Sequence, residues 1–154
     1  MQHVLADQDS FFVAGIAVRT TNKDGKARKD IGDLWARFMS EGIKDHIASK
    51  YSDDLYCVYT DYETDHTGAY TTILGYRMAP GTLPPSGYTR KIILKSTYQV
   101  FISQGPLPDS VQQTWMNIWK SDLKRRYTAD FDVYSPYSNN PENAIVRTFV
   151  SIEE

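Results

Sequence analysis

The chain has 154 residues, a net charge of −2 at pH 7 and 41% hydrophobic residues, which suits one domain, residues 1–154, with a substantial core. So small a net charge argues against direct nucleic-acid binding, which usually requires a basic excess. The one cysteine excludes an internal disulfide framework, and the polar start and lack of a long apolar run predict a cytoplasmic protein without membrane attachment.

The first half of the chain predicts a strand, a helix and a hairpin. "FFVAGIAVRT" (residues 11–20) is typical of a strand, and "DLYCVYTDY" and "AYTTILGYRM" predict two more, joined by the turn-rich "ETDHTG". The segment 30–50 predicts a helix, because apolar residues recur at three- and four-residue steps. This stripe consists of Ile31, Leu34, Trp35, Phe38, Ile43 and Ile47.

The second half repeats this order after an irregular connector at residues 78–87. "RKIILKSTYQVFISQG" is strand-like, Asp109 or Ser110 is placed to cap a helix, and "DFDVYSPY" and "NAIVRTFVSI" predict a second hairpin. The helix stripe consists of Val111, Trp115, Ile118, Trp119 and Leu123. We therefore predict an α+β fold of two strand-helix-strand-strand modules, about 10–78 and about 89–154, with a mostly antiparallel sheet and two main helices.

The two halves also resemble each other in sequence. A shift of 75 residues places the Val-Tyr pair 58–59 on the Val-Tyr pair 133–134. This match, together with the repeated order of elements, predicts an internal duplication. Cys57 then falls opposite Asp132, so Asp132 is where we expect a function added to one copy.

The position of Asp132 within its strand allows two interpretations. Since successive side chains of a strand alternate between faces, Phe131 and Val133 share one face, and Asp132 and Tyr134 share the other. Asp132 is then either an ordinary solvent-facing residue or a carboxylate that lines a cavity, where a lone charge would be unfavourable and informative.

Other polar residues give no chemical signature. Cys57 has no nearby histidine in the sequence and is interpreted as a buried filler. The basic runs at 23–29 and 123–126 are interpreted as a solvated loop and a basic helix end. The histidines show no metal-ligand spacing, and we found neither a phosphate-binding loop nor a nucleophile elbow. We therefore predict no metal, no cofactor and no catalytic residue. The histidines are His3, His46 and His66.

Several stretches together resemble the GyrI-like effector-binding domains, which sense ligands in some AraC- and MerR-type transcription activators. The stretches are "FFVAGIAVRT", "IGDLWARFMSEGI", "YCVYTDYETDHTGAYTTILGYRM", "STYQVFISQG", "TWMNIWKSDL", "DFDVYSPYS" and "RTFVSIEE". The resemblance implies two modules related by a pseudo-dyad, with a cleft between them that binds small, often cationic aromatic molecules. It also suggests a stand-alone member of the family, of a kind suited to carriage on an integron gene cassette.

The resemblance also implies a set of ligand-binding residues. The acid in the Phe-acid-Val-Tyr strand, normally glutamate in the family, is Asp132 here, one methylene shorter. The implied ligand-binding residues are Asp132, Tyr134, Tyr98, Trp115, Trp119, Phe149 and Tyr59. Ordinary core packing is the alternative for the two tryptophans, which lie on a helix stripe, and for Tyr98 and Phe149.

Three functions follow from this sequence. The first is non-catalytic binding of a small cationic aromatic or amphipathic molecule, for sensing or sequestration. The second is a protein-interaction module of the GyrI type, and the third is a hydrolase in which Asp132 activates water with help from Tyr98 or Tyr134. About ten residues precede the first predicted strand, too few for a helix-turn-helix, so we expect no direct DNA contact. A homodimer or another protein partner is compatible with all three.

Overall fold

The computed structural model describes residues 3–136 and 140–153, and within them eight strands form one antiparallel sheet accompanied by three α-helices. The strands are His3–Gln8 (β1), Phe11–Thr21 (β2), Lys50–Thr60 (β3), Ala69–Met78 (β4), Thr89–Ile93 (β5), Ser96–Gly105 (β6), Ala129–Tyr134 (β7) and Ala144–Ile152 (β8). The helices are Lys26–Ser40 (α1), Ile43–His46 (α2) and Asp109–Lys120 (α3). The predicted α+β class and mostly antiparallel sheet are confirmed. The predicted loop at 138–142 lies partly outside the described residues.

The first predicted helix is divided in two. The apolar stripe folds as expected, with Leu34 and Phe38 buried against the sheet. However, α1 ends at Ser40, and Gly42 adopts a left-handed conformation with φ of 62°. Glycine has no Cβ to oppose this conformation, so the chain reverses there before the short helix α2. The prediction of a single helix over 30–50 is therefore wrong in its length.

The sheet consists of two groups of four strands, and each group includes the first strand of the other half of the chain. The strand order is β1-β6-β8-β7-β3-β4-β2-β5, and the groups meet where β7 pairs with β3. Strand β1 pairs with β6 of the second half, whereas β5 pairs with β2 of the first half. The prediction of one strand over 90–105 is wrong, because β5 ends at Ile93 on one edge of the sheet and β6 begins at Ser96 as the second strand from the other edge. The first ten residues, interpreted as a polar lead, contain β1.

The two faces of the sheet bury different cores. One face curls around a cluster that includes Val58 and Phe131, and even the edge strands contribute Ala6 and Ile93 to it. On the other face, α1 packs on β2 and β4, and α3 packs on β6. The central strands β3 and β7 therefore lie beneath the space between the two helices.

The ends of α3 differ from the prediction. Pro108 occupies the N-cap position without a side-chain cap, and Asp109 is the first helical residue. The helix ends at Lys120, so the basic run 123–126 is not a helix end. Instead Arg125 forms an isolated β-bridge with Ile152 and is buried. No helix in the described part of the chain is long and apolar enough to cross a membrane.

Candidate functional site

A cavity of about 710 Å³ lies between α1 and α3, above the central strands. This volume is within the range of pockets that bind small organic molecules. Tyr59 of β3 and Tyr134 of β7 contribute to its floor. The apolar wall residues are Ala27, Ile31 and Trp35 from α1 and Val111, Trp115, Met116 and Trp119 from α3. The cavity is therefore largely aromatic and apolar.

The aromatic floor and walls cross between the two halves. Trp35 of α1 packs edge-on against Tyr134 of β7, with ring centroids 5.0 Å apart. Trp115 of α3 packs edge-on against Tyr59 of β3, with centroids 5.2 Å apart. The tryptophan of each helix therefore packs against a tyrosine on a central strand that belongs to the other half of the chain. Such edge-to-face pairs are favourable and fix the orientation of both rings.

Asp132 lies behind this aromatic surface, with no solvent exposure. Its carboxylate accepts hydrogen bonds from the Thr148 hydroxyl at 2.5 Å, the Tyr59 hydroxyl at 2.7 Å and the Trp115 indole N–H at 3.1 Å. Tyr59 and Trp115 line the cavity and cover the carboxylate. Burial raises the pKa of Asp132 to about 6, and the three hydrogen bonds oppose this rise.

Cys57 lies directly opposite Asp132 in the β3–β7 ladder. It is buried, as the sequence predicted, and its thiol donates to the Tyr59 hydroxyl at 3.4 Å. Burial and the neighbouring carboxylate raise the pKa of the thiol well above its usual range. The thiol therefore stays protonated at neutral pH and is not an activated nucleophile.

A second buried carboxylate, Asp130, pairs with an arginine that sequence reasoning missed. Asp130 accepts hydrogen bonds from Arg125 Nη2 at 2.7 Å, from the Tyr62 hydroxyl at 2.6 Å and from the Ser151 backbone N–H at 2.8 Å. Both members of the ion pair are nearly inaccessible, with side chains 3% and 0% exposed. Arg125 and Tyr62 also line the cavity. The basic run 123–126 was the available signal, but nothing local distinguished Arg125 from its solvated neighbours.

His66 belongs to the same end of the cavity as Arg125. Its ring stacks on that of Trp119, with centroids 5.9 Å apart and planes 8° apart. Burial, followed by the positive charge of Arg125, lowers the pKa of His66, so the imidazole is neutral at pH 7. Among residues 3–136 and 140–153, no group of three or more His, Cys, Asp or Glu side chains is placed to hold a metal ion.

The structure brings together five of the seven residues implied by the family resemblance. Four of these five line the cavity and the fifth is Asp132, behind them; the lining residues are Tyr59, Trp115, Trp119 and Tyr134. Tyr98 and Phe149 lie instead in the core on the opposite face of the sheet. Phe149 is the register partner of Phe131, on which its ring stacks at 4.7 Å, and Tyr98 packs against the same ring at 5.2 Å. Their strand register therefore directs both side chains away from the cavity.

Comparison with known proteins identifies relatives along nearly the whole chain. A family model described as "Integron-associated effector binding protein" (Cass2) matches residues 5–152. YobU of Bacillus subtilis (strain 168), whose name marks it as a candidate transcriptional regulator protein, is 28% identical over 146 residues, covering 92% of this chain and 91% of YobU.

Two solved structures share the fold. SAV2435, solved bound to tetraphenylphosphonium, has a TM-score of 0.82 at 20% identity, covering 99% of this chain and 94% of that protein. The integron cassette protein VCH_CASS2 of Vibrio cholerae has a TM-score of 0.73 at 28% identity, covering 98% of this chain and 95% of that protein. The predicted resemblance to effector-binding domains is confirmed.

Proposed function

The chain belongs to the integron-associated effector-binding protein family, and from this premise we propose that it binds a small cationic aromatic molecule without transforming it. The ligand would occupy the cavity between α1 and α3. Binding there would serve to sense or to sequester the compound, in the cytoplasm.

The observation that carries this proposal is a buried carboxylate hydrogen-bonded to two aromatic residues of the cavity wall. Ionised Asp132 accepts the Tyr59 O–H and the Trp115 N–H. Hydrogen bonds in a low-dielectric interior polarise the groups that make them, so both rings present a more negative surface to the cavity. A cation on those rings gains cation–π attraction and also offsets the charge of Asp132.

The ligand of a structural relative supports the proposed charge. SAV2435 was solved with tetraphenylphosphonium, a large aromatic cation. A cavity of about 710 Å³ in this chain has room for a molecule of that class. A drug-sized ligand that gains about 0.3 kcal/mol per heavy atom binds with micromolar affinity or somewhat better.

The geometry favours binding over hydrolysis. A hydrolase would need a carboxylate that reaches a substrate-bound water, whereas Asp132 is fully buried and all its described partners are donors within the protein. Tyr98, one candidate to assist it, lies on the opposite face of the sheet.

A fluorescence titration at pH 7.5 tests the proposal, with the intrinsic tryptophans as reporters. We expect micromolar binding of tetraphenylphosphonium and much weaker binding of tetraphenylborate, which has the same shape and the opposite charge. Asp132→Asn should weaken binding of the cation by about tenfold or more, because an amide supplies no negative charge.

The matched control is Asp53→Asn, which removes the same charge from an exposed position on β3. It should leave the affinity unchanged. Equal binding of the two ions, or a cation affinity indifferent to Asp132→Asn, would contradict the proposal. No saturable response to either ion would favour the protein-interaction alternative.

A further inference from the structure

The end of the cavity near Arg125 and His66 holds polar atoms without partners. Among the described residues, five buried side-chain nitrogen or oxygen atoms lack a hydrogen-bond partner, and three of them belong to these two residues. They are Nε and Nη1 of Arg125 and Nδ1 of His66. Since buried polar groups are normally paired, such a concentration beside a cavity indicates a place for a ligand atom.

Arg125 offers a ligand hydrogen-bond donors, but its positive charge is already neutralised by a carboxylate. Its Nη2 already donates to Asp130, and the two charges are paired at 2.7 Å. The ring of Tyr127 lies 4.3 Å from the guanidinium carbon and contributes cation–π attraction. A ring face does not satisfy two directional N–H groups, so Nε and Nη1 still require an acceptor.

Asp132, unlike Arg125, already has hydrogen-bond partners within the protein. Its carboxylate already accepts from a threonine hydroxyl, a tyrosine hydroxyl and an indole N–H. The unmet hydrogen-bonding capacity of Arg125 therefore lies with donors, and the neutral imidazole of His66 adds a third donor in the tautomer that carries its proton on Nδ1. A ligand satisfies these donors with an acceptor oxygen. Because Asp130 already neutralises Arg125, a ligand carboxylate would be repelled by Asp130, whereas a neutral carbonyl oxygen would not.

We propose that Arg125 and His66 form a second subsite for a neutral carbonyl oxygen, so that the preferred ligand is an aromatic cation with a ketone, ester or amide on a short arm. The arm can be short because the guanidinium carbon is 5.6 Å from the centroid of Trp115, one of the rings on which the cation would lie. This inference rests on the proposed binding of a cation and adds the acceptor to it.

Three phosphonium probes test the subsite: pentyl-, 4-oxopentyl- and 3-carboxypropyl-triphenylphosphonium. They share the cation and the length of the arm, and they differ in its acceptor. We expect the ketone to bind about tenfold more tightly than the alkyl probe, the difference that hydrogen bonds to a charged donor provide. The carboxylate should bind less tightly than the ketone. Calorimetric titration at pH 7.5 measures all three.

Arg125→Lys should remove the preference for the ketone while the pentyl probe keeps its affinity within about twofold, since lysine preserves the charge beside Asp130 but lacks the remaining guanidinium donors. Arg28→Lys is the control, because Arg28 borders the cavity but is exposed and already donates to Gln112. This variant should retain the full preference.

The variant His66→Phe provides an independent test of the subsite if Arg125→Lys does not fold. It keeps a ring against Trp119 and removes the nitrogens, so the ketone preference should fall by about threefold. Equal binding of the ketone and alkyl probes to wild type, or a preference that survives both variants, would overturn the subsite alone. Failure of all three probes to bind would overturn the proposed function and the subsite together.

Discussion

Asp130 and Asp132 stand two residues apart on the same face of β7, yet their surroundings differ in one essential respect. Asp130 is paired with a cation, Arg125, at 2.7 Å. Asp132 is as deeply buried, but its described partners are neutral donors, the side chains of Tyr59, Trp115 and Thr148. The charge of Asp130 is thus neutralised within the protein, whereas that of Asp132 is not.

This difference assigns the two carboxylates separate tasks. A buried ion pair contributes little net stability when intact, but loss of one member leaves an uncompensated charge. A buried carboxylate held by neutral donors is destabilised by desolvation and is relieved by an external cation. We therefore expect Asp130 to maintain the structure around β7 and Asp132 to supply the negative potential on which the proposed cation binding depends.

The largest expected effect follows from the paired carboxylate. Asp130→Asn leaves Arg125 buried without its counter-charge and should lower the free energy of unfolding by about 3–5 kcal/mol. Urea unfolding at pH 7.5, followed by tryptophan fluorescence, measures the change. Adding Arg125→Met should restore part of the loss by removing the unpaired charge. A single variant as stable as wild type would show that the ion pair has no structural task.

The unpaired carboxylate should make stability depend on pH. Since folding raises the pKa of Asp132 from 3.8 to about 6, the folded protein favours the protonated acid. Stability should therefore fall as the pH rises from about 4 to about 6, by at most about 3 kcal/mol, and remain at the lower level above that.

Urea unfolding across this pH range would be compared between wild type and Asp132→Asn, because exposed acids titrate similarly in both. The difference between the two curves isolates Asp132. Parallel curves, with no difference that changes between pH 4 and pH 6, would mean that Asp132 titrates normally in the folded state.

The smallest effect compares two tyrosines, one for each carboxylate. Tyr59 donates to Asp132 at 2.7 Å and Tyr62 donates to Asp130 at 2.6 Å. Tyr59→Phe removes a donor that favours the ionised acid, so tetraphenylphosphonium affinity at pH 7 should fall by about fivefold. Tyr62→Phe should leave the affinity unchanged, because Asp130 keeps Arg125. Fluorescence titration of the two variants checks this, and equal losses would remove the distinction between the carboxylates.

Local periodicity was sufficient for part of the site. Strand alternation predicted that Asp132 and Tyr134 share a face, and they do. The repeated element order predicted one main helix in each half, and α1 and α3 are those helices. Alternation, however, relates only residues within one strand. The face of the sheet on which Phe149 lies depends on the pairing of Phe149 with Phe131, and a local sequence pattern does not predict such a register.

The residues that were missed depend on contacts between distant segments. Leu123 continues the apolar stripe of α3 in the sequence, but the chain leaves the helix at Ser121, which brings Arg125 against Asp130. Strand β1 is short and partly polar, and its ladder partner lies far along the chain. The strength of such a pairing depends on the rest of the sheet, so composition alone did not predict it.

The exchange of first strands has a consequence for the order in which the chain folds during its synthesis. The register joins Gln8 to Ser96 and His3 to Phe101, so β1 leaves the ribosome long before its partner is made. Strand β2, by contrast, pairs with β4 as well as with β5, and β4 is made before β5. Because pairings between distant segments form slowly, the first of these eight strands to be made should be among the last to be fixed.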